Sequence, residues 1–255
     1  ALWWLQGLLD VLLMEPDQGF ARRMLPHLER LLAWFEPFEN ADGLLTDVPG
    51  WIFIDWANVG RTGVCASLNA VYAIALRAAA EVAAYIDDAD LQTQCAARIE
   101  HIASNYHKTF WNDARSLYVD NVVDGRQTES FSQHTQAISV LAGLAETDTA
   151  ALMQRATWDA SLVQTEPYFT FYLLEALART GEVQAGLDLL RGKWGGMIQQ
   201  GATSFWEEWQ VTGTFRGGQW LARPRSHCHA WSAAPPAWLS RHVLGVRVES
   251  LTEDR

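Results

Sequence analysis

The sequence predicts a mainly α fold in which stacked helical hairpins form an α/α toroid, with a solenoid as the alternative. Apolar residues recur at helical spacing in eight or nine successive segments, and the connections between these segments are alternately short and long. This alternation is typical of antiparallel helix pairs. The chain has no Rossmann or Walker glycine pattern and no Gly-x-Ser-x-Gly elbow. Because no crisp sequence repeat favours a solenoid, we prefer the toroid.

Four helices are predicted in the first part of the chain. Pro16-Asp17 ends the first helix, and the third is rich in alanine, which indicates close helix packing. Asp90 or a neighbouring residue is expected to cap the fourth helix. The predicted helices cover residues 2–14, 19–35, 64–86 and 90–110.

The second and third helices are separated by a long segment, residues 36–62, that is rich in Gly, Pro and Asp. Long loops in compact domains are usually functional or disordered. This loop carries one carboxylate among three aromatic side chains: Trp51, Phe53, Asp55 and Trp56. We therefore expect it to be ordered and functional.

The second part of the chain begins with a break in the helical pattern at residues 111–128, which indicates a short hairpin or an extended excursion. Gly181 is an expected helix C-cap. Gly195-Gly196 is expected to begin the loop that leads into residues 201–209. The helices predicted after the excursion cover residues 131–145, 149–156, 168–179, 183–194 and 230–243.

Composition excludes several classes of protein and partner. Apolar residues make up 49% of the 255 residues and charged residues 19%, which is typical of an ordered globular chain. The net charge of -11 disfavours nucleic acid and anionic membranes as partners. No apolar run is long enough to span a membrane. No signal peptide is visible, so a cytoplasmic location is expected, and the abrupt start at Ala1 suggests a processed, cut or partial chain.

The segments Gly201–Trp209 and Ser226–Trp231 concentrate most of the chemical capability of the chain. The first places Glu207 and Glu208 between two tryptophans, and the second contains two histidines and a further tryptophan. Carboxylates perform acid/base chemistry, and indole faces provide flat apolar platforms for sugar rings. The blander interpretation is that the carboxylates lie at the rim of a structure and the indoles fill its core. The pattern favours a carbohydrate-active domain.

These segments resemble a known family, the bacterial α-L-rhamnosidases of glycoside hydrolase family 78, whose catalytic domain is an (α/α)6 barrel. Gly201–Trp209 follows the family motif Gly-Ala-Thr-Thr-x-Trp-Glu-x-Trp, with Ser204 as the one departure, and His229 lies in the matching Ser-x-x-His setting. Further segments that resemble the family barrel are Ile54-Asp55-Trp56, Leu68-Asn69-Ala70, Phe110-Trp111 and Leu117-Tyr118-Val119-Asp120.

The resemblance implies inverting hydrolysis of terminal α-L-rhamnosides, with Glu207 as the general base and His229 and Trp56 as sugar contacts. The acid motif of the family, which ends Trp-x-Gly-Asp, is not found in this chain. A full barrel has twelve helices, so the chain resembles the C-terminal two-thirds of one. We expect residues 1–245 to form the barrel-like glycosidase domain and residues 246–255 to form a tail. The open side of such a barrel would favour self-association or a covering partner.

Asp55 is the best candidate in this chain for a substitute acid, if the surrounding aromatic residues desolvate it. Its alternative role is to cap the loop. Further candidate sugar contacts are Trp51, Trp206, Trp209 and Trp231. At least one of Trp206, Trp209 and Trp231 is expected to lie in the core instead. Glu208 is expected to be solvated or salt-bridged. His134 is expected to serve a helix end, with a position lining the cleft as the alternative.

No cofactor or metal is expected, since the run His227-Cys228-His229 has poor zinc-ligand spacing. The expected partner is a carbohydrate. Two other functions stay open at this point: a non-catalytic carbohydrate-binding remnant, and a hydrolase of another class, such as an esterase.

Overall fold

The computed structural model describes residues 1–210 and 225–246 and, between these ranges, the backbone of two short strands. The described residues contain nine α-helices, which agrees with the predicted eight or nine. They are α1 (Trp3–Met14), α2 (Gln18–Phe35), α3 (Ala66–Tyr85), α4 (Ala89–Phe110), α5 (Gln133–Leu141), α6 (Thr149–Trp158), α7 (Pro167–Arg179), α8 (Val183–Gln199) and α9 (Ala234–His242).

The helices form two layers. The odd-numbered helices α1, α3, α5, α7 and α9 contact one another in chain order, and α4, α6 and α8 each pack against the odd-numbered helix that precedes them. Helices α3 and α5 are buried along most of their length, as expected for an inner layer. The mainly α fold of stacked hairpins is confirmed, and its layering is that of an α/α toroid.

Short strands join the helices. They are β1 (Val64–Cys65), β2 (Trp111–Asn112), β3 (Leu117–Tyr118), β4 (Asn121–Val123), β5 (Arg126–Gln127), β6 (Thr214–Arg216) and β7 (Gln219–Leu221). Strands β2 and β3 form one antiparallel pair, while β4 pairs with both β1 and β5. The predicted excursion at 111–128 is thus two hairpins. Asp120, between them, accepts hydrogen bonds from the hydroxyls of Ser130, Ser132 and Thr135, which attaches the excursion to the start of α5.

The long loop before α3 is ordered, as expected, because side chains of the inner layer hold its backbone. The amide of Asn69 on α3 donates to the carbonyl of Leu45 at 3.0 Å and accepts from its N–H at 2.7 Å. At the end of the loop Gly63 has a φ of 66°. A Cβ there would lie 2.3 Å from the carbonyl oxygen of Val122, so the contact between the loop and β4 requires glycine.

Several predicted boundaries were wrong. Helix α8 continues through Gly195 and Gly196 to Gln199, because the buried side chains of Trp194 and Met197 outweigh a glycine cost of about 1 kcal/mol each. Helix α5 ends at Leu141, before Gly143 with its positive φ of 63°. Residues 230–232 form a separate 3-10 turn, and α9 begins only at Ala234, where prolines occupy the first turn.

Helix α4 is capped by Asp88, whose side chain accepts from the N–H of Leu91 at 3.0 Å. The cap was expected at Asp90 or a neighbouring residue, and it is the nearby Asp88. Of the predicted tail 246–255, all but residue 246 lies outside the described residues.

Candidate active site

The two segments singled out in the sequence lie side by side. Gly201, with a φ of 94°, ends helix α8 and turns the chain into the irregular segment 202–209. The N–H of Glu207 donates to the carbonyl of Ser226 at 2.9 Å, and the N–H of His229 donates to the carbonyl of Phe205 at 2.8 Å. This backbone pairing brings the carboxylate of Glu207 next to the imidazole of His229.

The carboxylate of Glu207 is held by donors on both of its oxygens. Oε1 accepts from the indole Nε1–H of Trp56 at 2.8 Å, and Oε2 accepts from the N–H of Ser226 at 3.2 Å. Nδ1 of His229 lies 3.6 Å from Oε2, and a guanidinium nitrogen of Arg225 lies 4.0 Å from Oε1. The side chain retains 13% of its exposure. An ionised carboxylate, which only accepts hydrogen bonds, suits these surroundings.

Glu208 has different surroundings from its neighbour. It is buried and forms a salt bridge with Nε of Arg225, which confirms the expectation of a salt-bridged residue. The guanidinium of Arg225 also lies 3.6 Å from the centroid of the Trp56 ring, within range of a cation–π contact. Arg225 therefore links the second carboxylate of the motif to the indole that binds the first.

Asp55 lies behind this arrangement rather than at its surface. Its side chain has no exposed area. Oδ1 accepts from the N–H of Trp56 at 2.8 Å, while Oδ2 accepts from Nε2 of His134 at 2.8 Å and from the N–H of Glu166 at 2.9 Å. A buried carboxyl with both oxygens engaged cannot reach a glycosidic oxygen, so this geometry argues against Asp55 as the substitute acid. The alternative of a loop-stabilising residue fits.

The candidate tryptophans divide into two groups, one packed against the helices and one near Trp56. Trp206 is buried and stacks on the ring of His227 at 4.7 Å, so at least one of them belongs to the core, as expected. Trp209 donates its indole N–H to the carbonyl of Thr165 at 2.8 Å and packs edge-on against Trp194, which ties it to helices α7 and α8. In contrast, Trp51 is 71% exposed and lies 5.7 Å from Trp56.

Trp231 belongs to the group beside Glu207. Its ring stacks on Phe53 at 5.7 Å, with His229 at 4.2 Å and Tyr168 at 5.0 Å. A cavity of about 310 Å³ lies next to this cluster and is lined in part by Trp51, Phe53 and Tyr168. The sequence did not mark Tyr168 as a site residue, because one aromatic residue in an amphipathic helix gives no signal that separates it from a core residue.

Glu166 is an ionisable residue beside the candidate site that the sequence did not mark. It precedes Pro167 at the start of α7, and its Oε2 accepts from the N–H of Trp209 at 3.2 Å. Burial raises the pKa of Glu166 to about 7; the charges of Asp55 and Glu208 raise it further, while the Trp209 N–H and Lys193 oppose the shift. No local pattern marks it, because its partners are distant in sequence.

The described residues contain no group of three His, Cys, Asp or Glu side chains that could hold a metal ion. Within the same part of the chain, no helix is both long and apolar enough to cross a membrane. The cytoplasmic location expected from the sequence stays a prediction.

Comparison with known proteins identifies related solved structures. A GH78 family rhamnosidase of Bacillus sp. GL1 has a TM-score of 0.88 and 27% identity, over 98% of this chain and 26% of that one. A rhamnosidase from Klebsiella oxytoca with rhamnose bound has a TM-score of 0.81 and 24% identity, over 96% and 46% of the two chains. An α-L-rhamnosidase from Dictyoglumus thermophilum has a TM-score of 0.66 and 16% identity, over 92% and 26%.

At these identities the last two structures bear on the fold alone. The chain spans less than half of the length of each of the three solved relatives. No protein in a set of curated sequences is significantly similar to it. A family model described as the bacterial alpha-L-rhamnosidase 6 hairpin glycosidase domain matches residues 12–243. The chain therefore belongs to the bacterial α-L-rhamnosidase six-hairpin glycosidases of glycoside hydrolase family 78.

Proposed function

We propose that this chain carries the base-bearing part of an inverting glycosidase site that hydrolyses terminal α-L-rhamnosides, and that residues 1–245 fold as one unit around it. The observation that carries the proposal is the position of Glu207. Its carboxylate is partly exposed, is held by donors on both oxygens and lies beside an imidazole and an aromatic cluster. The family match supports the substrate class.

In an inverting reaction, one carboxylate activates a water molecule on one face of the sugar while an acid on the other face protonates the leaving oxygen. The indole of Trp56 fixes Oε1 of Glu207 at 2.8 Å. Oε2, on the side of His229, is then the oxygen that takes the proton of the attacking water. Holding the base in one orientation lowers the entropic part of the barrier.

The exposed indole of Trp51 and the rings of Trp56 and Trp231 supply apolar surface for the sugar, and His229, with a third of its side chain exposed, supplies a polar contact. Trp206 and Trp209 support these groups from the core. The burial of Asp55 argues against its use as the acid, and we assign no proton donor to the described residues.

The Glu207→Gln substitution tests the base. It preserves shape and hydrogen-bond acceptance at one oxygen but removes the proton acceptor, so turnover of p-nitrophenyl α-L-rhamnopyranoside should fall about 100-fold or more. Rhamnose affinity, measured by calorimetry, should change much less. Retention of wild-type turnover would refute the assignment.

Glu175→Gln provides the matched control. The carboxylate of Glu175 on α7 is exposed to a similar degree, 16%, and it also contacts one histidine and one arginine, His242 at 3.1 Å and Arg241 at 3.3 Å. Activity should survive this change. If both variants lose activity together with their fold, the loss says nothing specific about a base and the proposal loses its support.

A second function is favoured by one observation. Because Asp55 is buried and fully hydrogen-bonded, a chain that binds rhamnosides without hydrolysing them is consistent with the described site. Calorimetric binding of rhamnose by the wild-type chain, without release of p-nitrophenol over many hours, would favour this carbohydrate-binding function over the first.

A further inference from the structure

The pair formed by Asp55 and His134 is buried beneath the site, and neither side chain has any exposed surface. Removing an ionisable pair from water is unfavourable unless hydrogen bonds compensate it. Neither residue lies at the exposed face of the site, so neither takes part directly in the reaction proposed above. Hydrogen bonds nevertheless connect the pair to the site.

Asp55 connects three separate parts of the chain. Oδ1 accepts a hydrogen bond from the N–H of Trp56, the residue that follows Asp55 in the long loop. Oδ2 accepts one from Nε2 of His134, in the first turn of α5, and one from the N–H of Glu166, at the start of α7. Both donors to Oδ2 stand at helix N-termini, where the helix dipole favours a negative charge. All three partners are donors, so a carboxylate satisfies them and a neutral amide cannot.

The role of His134 follows from the same contacts. Nε2 must carry a hydrogen to donate to Asp55. Nδ1 is buried and has no hydrogen-bond partner among the described residues, and the ring packs against Phe169 at 4.7 Å. His134 is therefore held in place by burial and acts as a fixed donor through Nε2.

Trp56 connects Asp55 to the base. Its backbone N–H donates to Oδ1 of Asp55, and its indole N–H donates to Oε1 of Glu207, both at 2.8 Å. We propose that Asp55 and His134 are positioning residues, which orient Trp56 and, through its indole, the carboxylate of Glu207. This inference rests on the proposed role of Glu207, since a positioning residue needs a catalytic group to position.

The His134→Phe variant removes the donor while it keeps a ring in the cavity, and His134→Gln restores an N–H at nearly the same place. The indole N–H of Trp56 reports the result in a ¹⁵N-tryptophan-labelled protein, with its resonance assigned from Trp56→Phe. H134F should shift this resonance and speed its hydrogen exchange about 10-fold or more, whereas H134Q should resemble the wild type. The indole N–H of Trp238, which donates to the carbonyl of Leu174 at 2.9 Å in the core, is the internal control.

This readout does not require turnover, so it separates failure of the inference from failure of the proposed function. An unchanged Trp56 resonance in H134F, or equal changes at Trp56 and Trp238, would overturn the inference. If H134F does not fold, Asp55→Asn is measured in the same way, because its amide places a donor against a donor. Where the wild type hydrolyses rhamnosides, H134F should lower kcat about 10- to 100-fold, and H134Q should recover most of it.

Discussion

The carboxyl group of Glu166 gives the stability of the fold a pH dependence that one substitution should remove. Its pKa is raised to about 7, first by burial and then by the charges of Asp55 and Glu208, against the opposing effects of the Trp209 N–H and Lys193. The native state therefore holds a proton that the unfolded chain, with an ordinary glutamate pKa of 4.5, has already released at neutral pH. The Glu166→Gln variant keeps the shape and stays neutral at every pH.

The sign and the size follow from linkage. Because the pKa is raised in the folded state, the stabilisation due to Glu166 is fully present below about pH 4.5 and is lost as the pH rises through about 7. Each pKa unit corresponds to about 1.4 kcal/mol, so the difference between 4.5 and about 7 sets an upper limit of about 3 to 4 kcal/mol. The side chain is partly exposed, and solvent screening reduces the expected effect to about 1–2 kcal/mol.

Urea denaturation of both proteins, followed by circular dichroism at pH 5 and pH 8, measures this effect. The free energy of unfolding of E166Q minus that of the wild type should be larger by about 1–2 kcal/mol at pH 8 than at pH 5, because only the wild type loses stability as the pH rises. The control is Glu182→Gln at the equivalent position before α8, where the carboxylate accepts from Gln154; the pH dependence of E166Q should exceed that of this control. A difference for E166Q that is equal at the two pH values would refute the reasoning.

Three further outcomes are expected. Gly63→Ala should destabilise the fold by about 2 kcal/mol or more in urea denaturation, since an alanine at positive φ is strained and its Cβ would meet the carbonyl of Val122; an unchanged midpoint would contradict this. Trp238→Ala should cost about 3–5 kcal/mol, because it removes a fully buried indole. The indoles of Trp34 and Trp51, which are 48% and 71% exposed, favour association, so light scattering should give a mass above that of the monomer, and a monodisperse monomer would exclude this.

The fold could be predicted from the sequence to the extent that its signals are local. Helix α4 has an amphipathic stripe and a cap within three residues of its start, so its course was predicted closely. Helix α8 was predicted to end too early, since glycines that would weaken an isolated helix are tolerated where Trp194 and Met197 are buried against neighbouring elements. Which helices form the inner layer depends on contacts between hairpins, and no single segment encodes these.

In the site, the motif residues were found from the sequence because Glu207 and His229 stand within short, recognisable segments. Their support was not found, because the hydrogen bonds that provide it join residues far apart. His134 lies 79 positions from Asp55, and Trp56 lies 151 positions from Glu207. The spacing of charged and aromatic residues along one segment carries no information about such partners, so the sequence left Asp55 as either a substitute acid or a loop cap, and its buried donors favour the second role.

These long-range bonds change how the motif itself is understood. Glu207 belongs to an irregular segment that has no regular structure to hold its side chain, yet its Oε1 is bound to an indole whose own backbone is bound to Asp55. Asp55 in turn is bound to the starts of two inner helices, α5 and α7. The orientation of the carboxylate is therefore set by the rigid inner layer rather than by the loop that carries it. A site on a loop gains precision when its side chains are fixed to rigid elements, and here a single buried carboxylate makes that connection.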